Sequence, residues 1–157
     1  MTIVDFIFFF YMFAGLYMLS FFILLYVYNS RRLFDYPQGT CEPVSIVIPC
    51  YNEADSIGPA IESLLSLDYP KDMIEIIVVD DCSRDGSADV VRSYAVRHSN
   101  VRLIVNSRNS GGAAEPTNIG VRAARYAYVA VADADSTPCA DALRKMIGYL
   151  QQDEKVA

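Results

Sequence analysis

The chain has 157 residues and a formal net charge of -6, a length suited to one domain of ordinary size. The acidic balance argues against nucleic acid as a partner, because phosphates demand a basic surface. A diphosphate bound here would need a metal ion or a local cluster of donors. Hydrophobic residues make up 53% of the sequence, and they are unevenly spread.

From Phe6 to Tyr28 no charged residue occurs. A helix of about 23 residues at 1.5 Å each runs roughly 35 Å, enough to cross a hydrocarbon core of about 30 Å with some tilt. Tyr26 and Tyr28 fall at its C-terminal end, where interfacial rings are favoured. Asp5 precedes the run without any Lys or Arg, and Arg31-Arg32 follow it, the reverse of a cleaved signal peptide. The spacing therefore predicts a transmembrane helix over 1–30. The positive-inside tendency puts its N-terminus outside and everything after residue 30 in the cytoplasm. Residues 31–43, broken by Pro37, Gly39 and Pro43, read as a linker. Cys41, Cys50, Cys82 and Cys139 contain no C-x-x-C pair, so neither a zinc site nor a disulfide framework is signalled and reduced thiols are expected.

Beyond the linker, short apolar runs alternate with helical patterns. Val44–Ile48 is a β-branched strand. A helix follows over about 56–67, with Ile57, Ile61, Leu64 and Leu65 on one face, Ser56 placed to cap it and Pro59 in its first turn. Ile74–Val79 is a second strand, apolar almost throughout, as in a parallel sheet covered on both faces. A helix over about 86–97, with Val90, Val91 and Tyr94 inward, leads to a strand at Val101–Val105. A glycine-containing loop then opens a helix near Pro116, and a strand at 128–132 and a helix at 140–151 complete the pattern. Strand-helix alternation of this kind predicts an α/β, Rossmann-like parallel sheet over 44–157 with right-handed crossovers.

Each polar cluster follows a strand directly: 49–53, 80–86, 106–112 and 133–136. In an open parallel sheet these positions share the carboxyl edge, where ligands bind. Asp133-Ala134-Asp135 sets two carboxylates at i and i+2, which in extended geometry point the same way and suit a hard divalent cation. Asp80-Asp81 ends the second strand and can accept a base N–H or a ribose hydroxyl. Asp81, Ser83, Asp85 and Gly86 match the opening of a calcium loop, but its twelfth position is Arg92 and a strand precedes it. Asn109-Ser110-Gly111-Gly112 lets backbone approach a ligand closely. No Walker A or G-x-G-x-x-G pattern follows the first strand, and the lone His98 supports no catalytic triad.

These stretches, VSIVIPCYNE (44–53), VVDDCSRDGS (78–87), NSGG (109–112) through NIG (118–120), and DAD (133–135), resemble the successive motifs of family 2 glycosyltransferases with the GT-A fold. The membrane helix and the Leu67–Pro70 segment are similar to synthases of the cellulose, chitin and hyaluronan type. The resemblance implies that Pro49, Tyr51 and Glu53 line a nucleotide pocket and that Asp81, with Asp80 beside it, contacts the base, usually uracil. It implies that Gly111, Gly112 and Asn118 wall the ribose and sugar, that Asp133 touches the ribose or diphosphate, and that Asp135, with Asp133, holds Mn2+ or Mg2+. The implied reaction is inverting transfer from a nucleotide sugar, a UDP-sugar, to a hydroxyl acceptor. Cys82 stands where the family has glycine, so the turn after Asp81 is expected to differ.

Family members continue past the second aspartate to a catalytic carboxylate. Asp141, Asp153 and Glu154 stand too early and on the wrong element to be that base. The chain is thus expected to be an N-terminal part, inactive alone, with a sheet edge open to further chain. The competing expectation is a membrane-anchored nucleotide-binding or interaction module without catalysis. A sugar nucleotidyltransferase would want a glycine-rich, basic loop after the first strand, which 49–53 is not.

Overall fold

The computed structural model describes residues 2–30, 36–37 and 39–152. Arg31 and Arg32, on which the predicted orientation rests, and Asp153 and Glu154 lie outside the described residues, as does part of the predicted linker. The chain divides into two compact units, 1–37 and 38–157.

In the first unit, helix α1 spans Ile3–Asn29, 27 residues, and buries none of them; its length is roughly 40 Å. It is long and apolar enough to cross a membrane. It starts at Ile3 because Thr2 and Asp5 form a capping box: the Thr2 hydroxyl accepts from the Asp5 N–H at 3.3 Å and the Asp5 carboxylate from the Thr2 N–H at 2.7 Å.

The second unit runs β1 (Val44–Cys50), α2 (Ile57–Leu65), a 3-10 turn (Lys71–Met73), β2 (Ile74–Asp80), α3 (Ser87–Arg97), β3 (Val101–Val105), α4 (Ala114–Ala123), β4 (Tyr128–Val131) and α5 (Ala142–Gln152). All strand pairs are parallel, in the order β3-β2-β1-β4. The chain builds outward from β1 to β3, then returns to lay β4 on the other side of β1, so the direction of winding reverses between β1 and β4.

Alternation along the strands separates two cores. Ile46, Ile48, Ile76 and Val78 face α2, α3 and α5, meeting Ile57, Ile61, Leu64, Val91, Leu143 and Ile147. Val47, Ile77 and Val79 face the other way, against Ile119 and Ala124 at α4. Gly120 makes that second layer possible: a Cβ built there would lie 2.2 Å from Val47 Cγ1. Replacing Gly120 with alanine is expected to cost about 1–3 kcal/mol by overpacking, read as a lower urea midpoint at unchanged m-value.

Two helix starts differ from expectation. Ser56 makes no side-chain cap to α2; its hydroxyl donates instead to the Glu53 carboxylate, while the Ile57 N–H bonds to the Glu53 carbonyl at 2.9 Å. Helix α4 begins at Ala114, ahead of Pro116, which still falls in the first turn, where a missing N–H costs nothing.

One charge lies inside the apolar strand β2. Glu75 is 2% exposed and accepts from Ser45 Oγ at 2.8 Å, the Arg102 guanidinium at 2.6 Å and the Arg125 N–H at 2.9 Å. Ser45 Oγ in turn accepts the Tyr126 N–H at 3.2 Å. Three strands and the α4–β4 connection are thereby tied together near the amino ends of the strands, opposite the polar clusters.

Candidate functional site

The four post-strand clusters meet at the carboxyl edge, around a cleft of about 520 Å³, within the usual size range of small-molecule sites. Pro49, Cys50, Tyr51 and Glu53 reach it from β1, Asp81 from β2, Asn109, Gly111 and Gly112 from the β3–α4 loop, and Asp133, Ala134 and Asp135 from β4. It opens where the winding reverses. Of the residues the sequence singled out, Pro49, Tyr51, Glu53, Asp81, Gly111, Gly112, Asp133 and Asp135 line it. Asp80 and Asn118 do not: Asp80 is 1% exposed at the end of β2, and Asn118 lies on the exposed side of α4.

Four of the lining side chains are carboxylates, Glu53, Asp81, Asp133 and Asp135, and among the described lining residues none is Lys, Arg or His. Asp81 is 2% exposed and firmly held. Its carboxylate accepts from Asn106 Nδ2 at 2.7 Å and from the Ser110 N–H and hydroxyl at 2.8 and 2.7 Å. Burial pushes the Asp81 carboxyl upward, but these three hydrogen bonds outweigh it and keep the group below the usual carboxylate range. It is therefore a fixed anion that can only accept. Sequence reasoning grouped Asn106 and Ser110 with the cluster without giving them this part; a polar residue directly after β3, facing an acid after β2, was the available signal.

The loops after β1 and β2 are laced by side chains. The Asn52 N–H donates to Ser83 Oγ at 2.9 Å and Asn52 Oδ1 accepts the Arg84 N–H at 2.9 Å. The Glu53 N–H donates to Ser87 Oγ at 2.8 Å, and the Asp85 carboxylate accepts the Ala54 and Ser87 N–H groups at 2.9 and 3.0 Å. Asp85, which the calcium-loop pattern drew in, is thus a brace between two loops. Cys82 adopts φ +64°, the left-handed region that favours glycine, so a side chain is carried here on a backbone conformation that glycine would take without strain.

Asp133 and Asp135 are not in an extended strand as expected. β4 stops at Val131, and the Ser136 N–H bonds back to the Asp133 carbonyl at 3.1 Å, closing a turn. Both carboxylates remain exposed to the cleft while Ala134 between them is buried. Among the described residues no group of three or more His, Cys, Asp or Glu side chains converges to hold a metal. Two hard oxygen donors on one turn nevertheless fit a divalent cation whose other places are taken by phosphate oxygens and water.

Cys50 is 2% exposed; burial first, then the neighbouring Asp80 charge, push its thiol up to about 12. With the thiolate suppressed, iodoacetamide at pH 8 is expected to modify the exposed Cys139 and leave Cys50 unlabelled until the chain is denatured, as peptide mass analysis would show.

The family model described as "Glycosyl transferase family 2" matches residues 45–157. Among curated proteins, the poly(ribitol-phosphate) beta-glucosyltransferase of Bacillus spizizenii is 35% identical over 111 residues, 71% of this chain and 18% of its own. Among solved structures, S. aureus TarS 1-349 in complex with UDP-GlcNAc superposes with a TM-score of 0.65 at 29% identity, covering 71% of this chain and 32% of that one. The mannosyltransferase PcManGT from Pyrobaculum calidifontis, in complex with GDP-Man and Mn2+, gives 0.63 at 30% identity, covering 82% and 39%. The chain thus spans well under half the length of each of these proteins.

Proposed function

The chain belongs to glycosyl transferase family 2, with the parallel sheet of the Rossmann-like half of the GT-A fold, and from that premise we propose that its cleft binds a UDP-sugar together with Mn2+ or Mg2+. The observation that carries this reading is the meeting of Asp81 and the Asp133–Asp135 turn in one cleft with no cationic side chain. Structures of related proteins with UDP-GlcNAc, and with GDP-Man and Mn2+, support it.

Each lining residue has a task within this reading. Asp81, ionised and fixed, accepts a ring N–H of the base, that of uracil N3, with Asp80 buried behind it. Pro49, Tyr51 and Glu53 form the wall beside the base. Gly111 and Gly112 let the loop backbone approach the ribose and sugar, with Asn118 further along α4. Asp135, with Asp133, holds the cation. A bound divalent cation neutralises the diphosphate and the charge that develops on the departing UDP. The sugar passes to a hydroxyl acceptor with inversion; no described carboxylate is assigned to deprotonate that hydroxyl. Helix α1 spans the membrane, with residues 44–157 on the cytoplasmic side, a reading supported by the length and composition of α1 and by Arg31-Arg32 after it.

Calorimetry of the full chain in detergent tests the core of this. UDP is expected to give a binding heat with Mn2+ present and little with EDTA. Equal heats in the two, or none in either, would overturn the proposal.

A further inference from the structure

The stretch just before β1, Gly39–Pro43, is held against α5 and the α2–β2 loop by contacts that lie outside the cleft lining. The Gln151 side-chain amide pairs with the backbone of Thr40 as a neighbouring strand would: it accepts the Thr40 N–H at 2.9 Å and donates to the Thr40 carbonyl at 3.0 Å and hydroxyl at 2.9 Å. Gly39 lies so close to α5 that a Cβ would sit 2.5 Å from Gln151 Oε1 and 2.8 Å from Gly148 Cα. The Tyr69 hydroxyl, on a ring only 4% exposed, takes the N–H of Glu42 and returns a hydrogen bond to its carbonyl, both at 2.7 Å. Arg144, on α5, donates to the Asp68 carbonyl at 2.7 Å and reaches Cys41 Sγ at 3.6 Å, while the Asp68 N–H bonds to the Ala140 carbonyl at 2.8 Å. The Leu67–Pro70 segment, which the cleft leaves unused, is the seat of this junction.

The junction bears on the cleft through one short stretch of chain. The Asp133–Asp135 turn is anchored upstream where the Ala132 N–H meets the Val47 carbonyl at 3.0 Å. Its downstream anchor is Ala140 and the start of α5. Between these anchors the turn is held by its own closure at Ser136 and by Ala134, buried in the same core cluster as Leu143 and Ile147 of α5. Where α5 sits therefore fixes one end of the turn.

We propose that Gln151, Tyr69 and the Gly39–Pro43 strap are positioning elements for the Asp133–Asp135 turn, coupling the segment that leads from α1 to the cation-binding half of the nucleotide site. The proposal rests on the function assigned above. It predicts a split in ligand binding: contacts made by Asp81 to the base are anchored on β2 and the β3–α4 loop, away from the junction, whereas contacts made through the cation depend on it.

The experiment uses the full chain in detergent and two probes, uridine without metal and UDP with Mn2+, measured for the parent, Gln151→Ala and Tyr69→Phe. Gln151→Ala and Tyr69→Phe are expected to weaken UDP–Mn2+ binding five- to twentyfold, raise the Mn2+ concentration needed for half-maximal binding, and leave uridine affinity within twofold. Unchanged UDP–Mn2+ affinity in both variants, with the parent binding normally, overturns the inference alone. Equal weakening of uridine and UDP–Mn2+ also overturns it, since general loosening then explains the loss. A parent chain that shows no Mn2+-dependent binding of UDP instead overturns the functional reading on which the inference stands.

Discussion

Asp135→Ala is expected to abolish most of the Mn2+-dependent affinity for UDP, weakening it about a hundredfold, or roughly 2.8 kcal/mol. The size follows from the donor set. Only Asp133 and Asp135 offer carboxylates from the β4 turn, so removing one halves what the protein gives the cation. The lining has no Lys or Arg to replace the lost charge compensation, and a diphosphate facing Glu53, Asp81 and Asp133 without a cation meets like charge. Uridine, which carries no phosphate, should bind Asp135→Ala as it binds the parent. Calorimetry with the two ligands separates these effects, and an Asp135→Ala chain that keeps parental UDP affinity in Mn2+ would remove Asp135 from the cation site.

Glu75→Ala is expected to lower the stability of the second unit by about 1–3 kcal/mol, because it leaves the buried Ser45 hydroxyl and the Arg125 N–H without their acceptor, while the Arg102 and Arg125 side chains, 37% and 62% exposed, can turn to water. Ser45 Oγ and the Arg125 N–H would each lose an acceptor, and Arg102 its close partner. Glu75→Gln keeps the shape and some of the hydrogen bonds, so its loss should be smaller. The pH dependence has a definite sign. Burial pushes the Glu75 carboxyl up, but hydrogen bonds from Arg102, the Arg125 N–H and Ser45 outweigh it and hold the group below its ordinary value of 4.5. A depressed folded-state pKa stabilises the fold above the unfolded value, and that contribution disappears as pH falls through the folded one. Urea unfolding between pH 7 and 3 should therefore show a shallower acid-side loss in Glu75→Gln than in the parent. Identical slopes would show that Glu75 does not contribute to acid lability.

Much of this fold was legible because two signals coincide in the sequence: apolar runs of strand length and polar clusters that follow them. Val44–Ile48, Ile74–Val79 and Val101–Val105 lie within the observed strands, and the parallel arrangement follows from the helices between them. The carboxyl-edge cleft was legible for the same reason. What escaped depends on partners distant in sequence. Glu75 looked like an exception inside an apolar strand, since Ser45, Arg102 and Arg125 meet it only in the folded sheet. Gly120 read as part of a motif, whereas its tightest constraint is the Val47 side chain beneath it. The turn at Asp133 replaced the expected extended geometry because pairing with β1 ends at Val131, after which the Ser136 N–H closes back on Asp133. Asp80, adjacent to Asp81 in sequence, is buried at the end of β2 and does not line the cleft.

The return of the chain to lay β4 against β1 also ties completion of the sheet to completion of the cleft. β1, β2 and β3 are neighbours in both sequence and space, whereas the far side of β1 is paired only by the later strand β4. Long-range pairings of this kind close late and slowly. β4 covers the flank of β1 that β2 leaves bare, and the same strand carries Asp133 and Asp135 to the cleft, so closing the sheet and completing the acidic lining are one structural event.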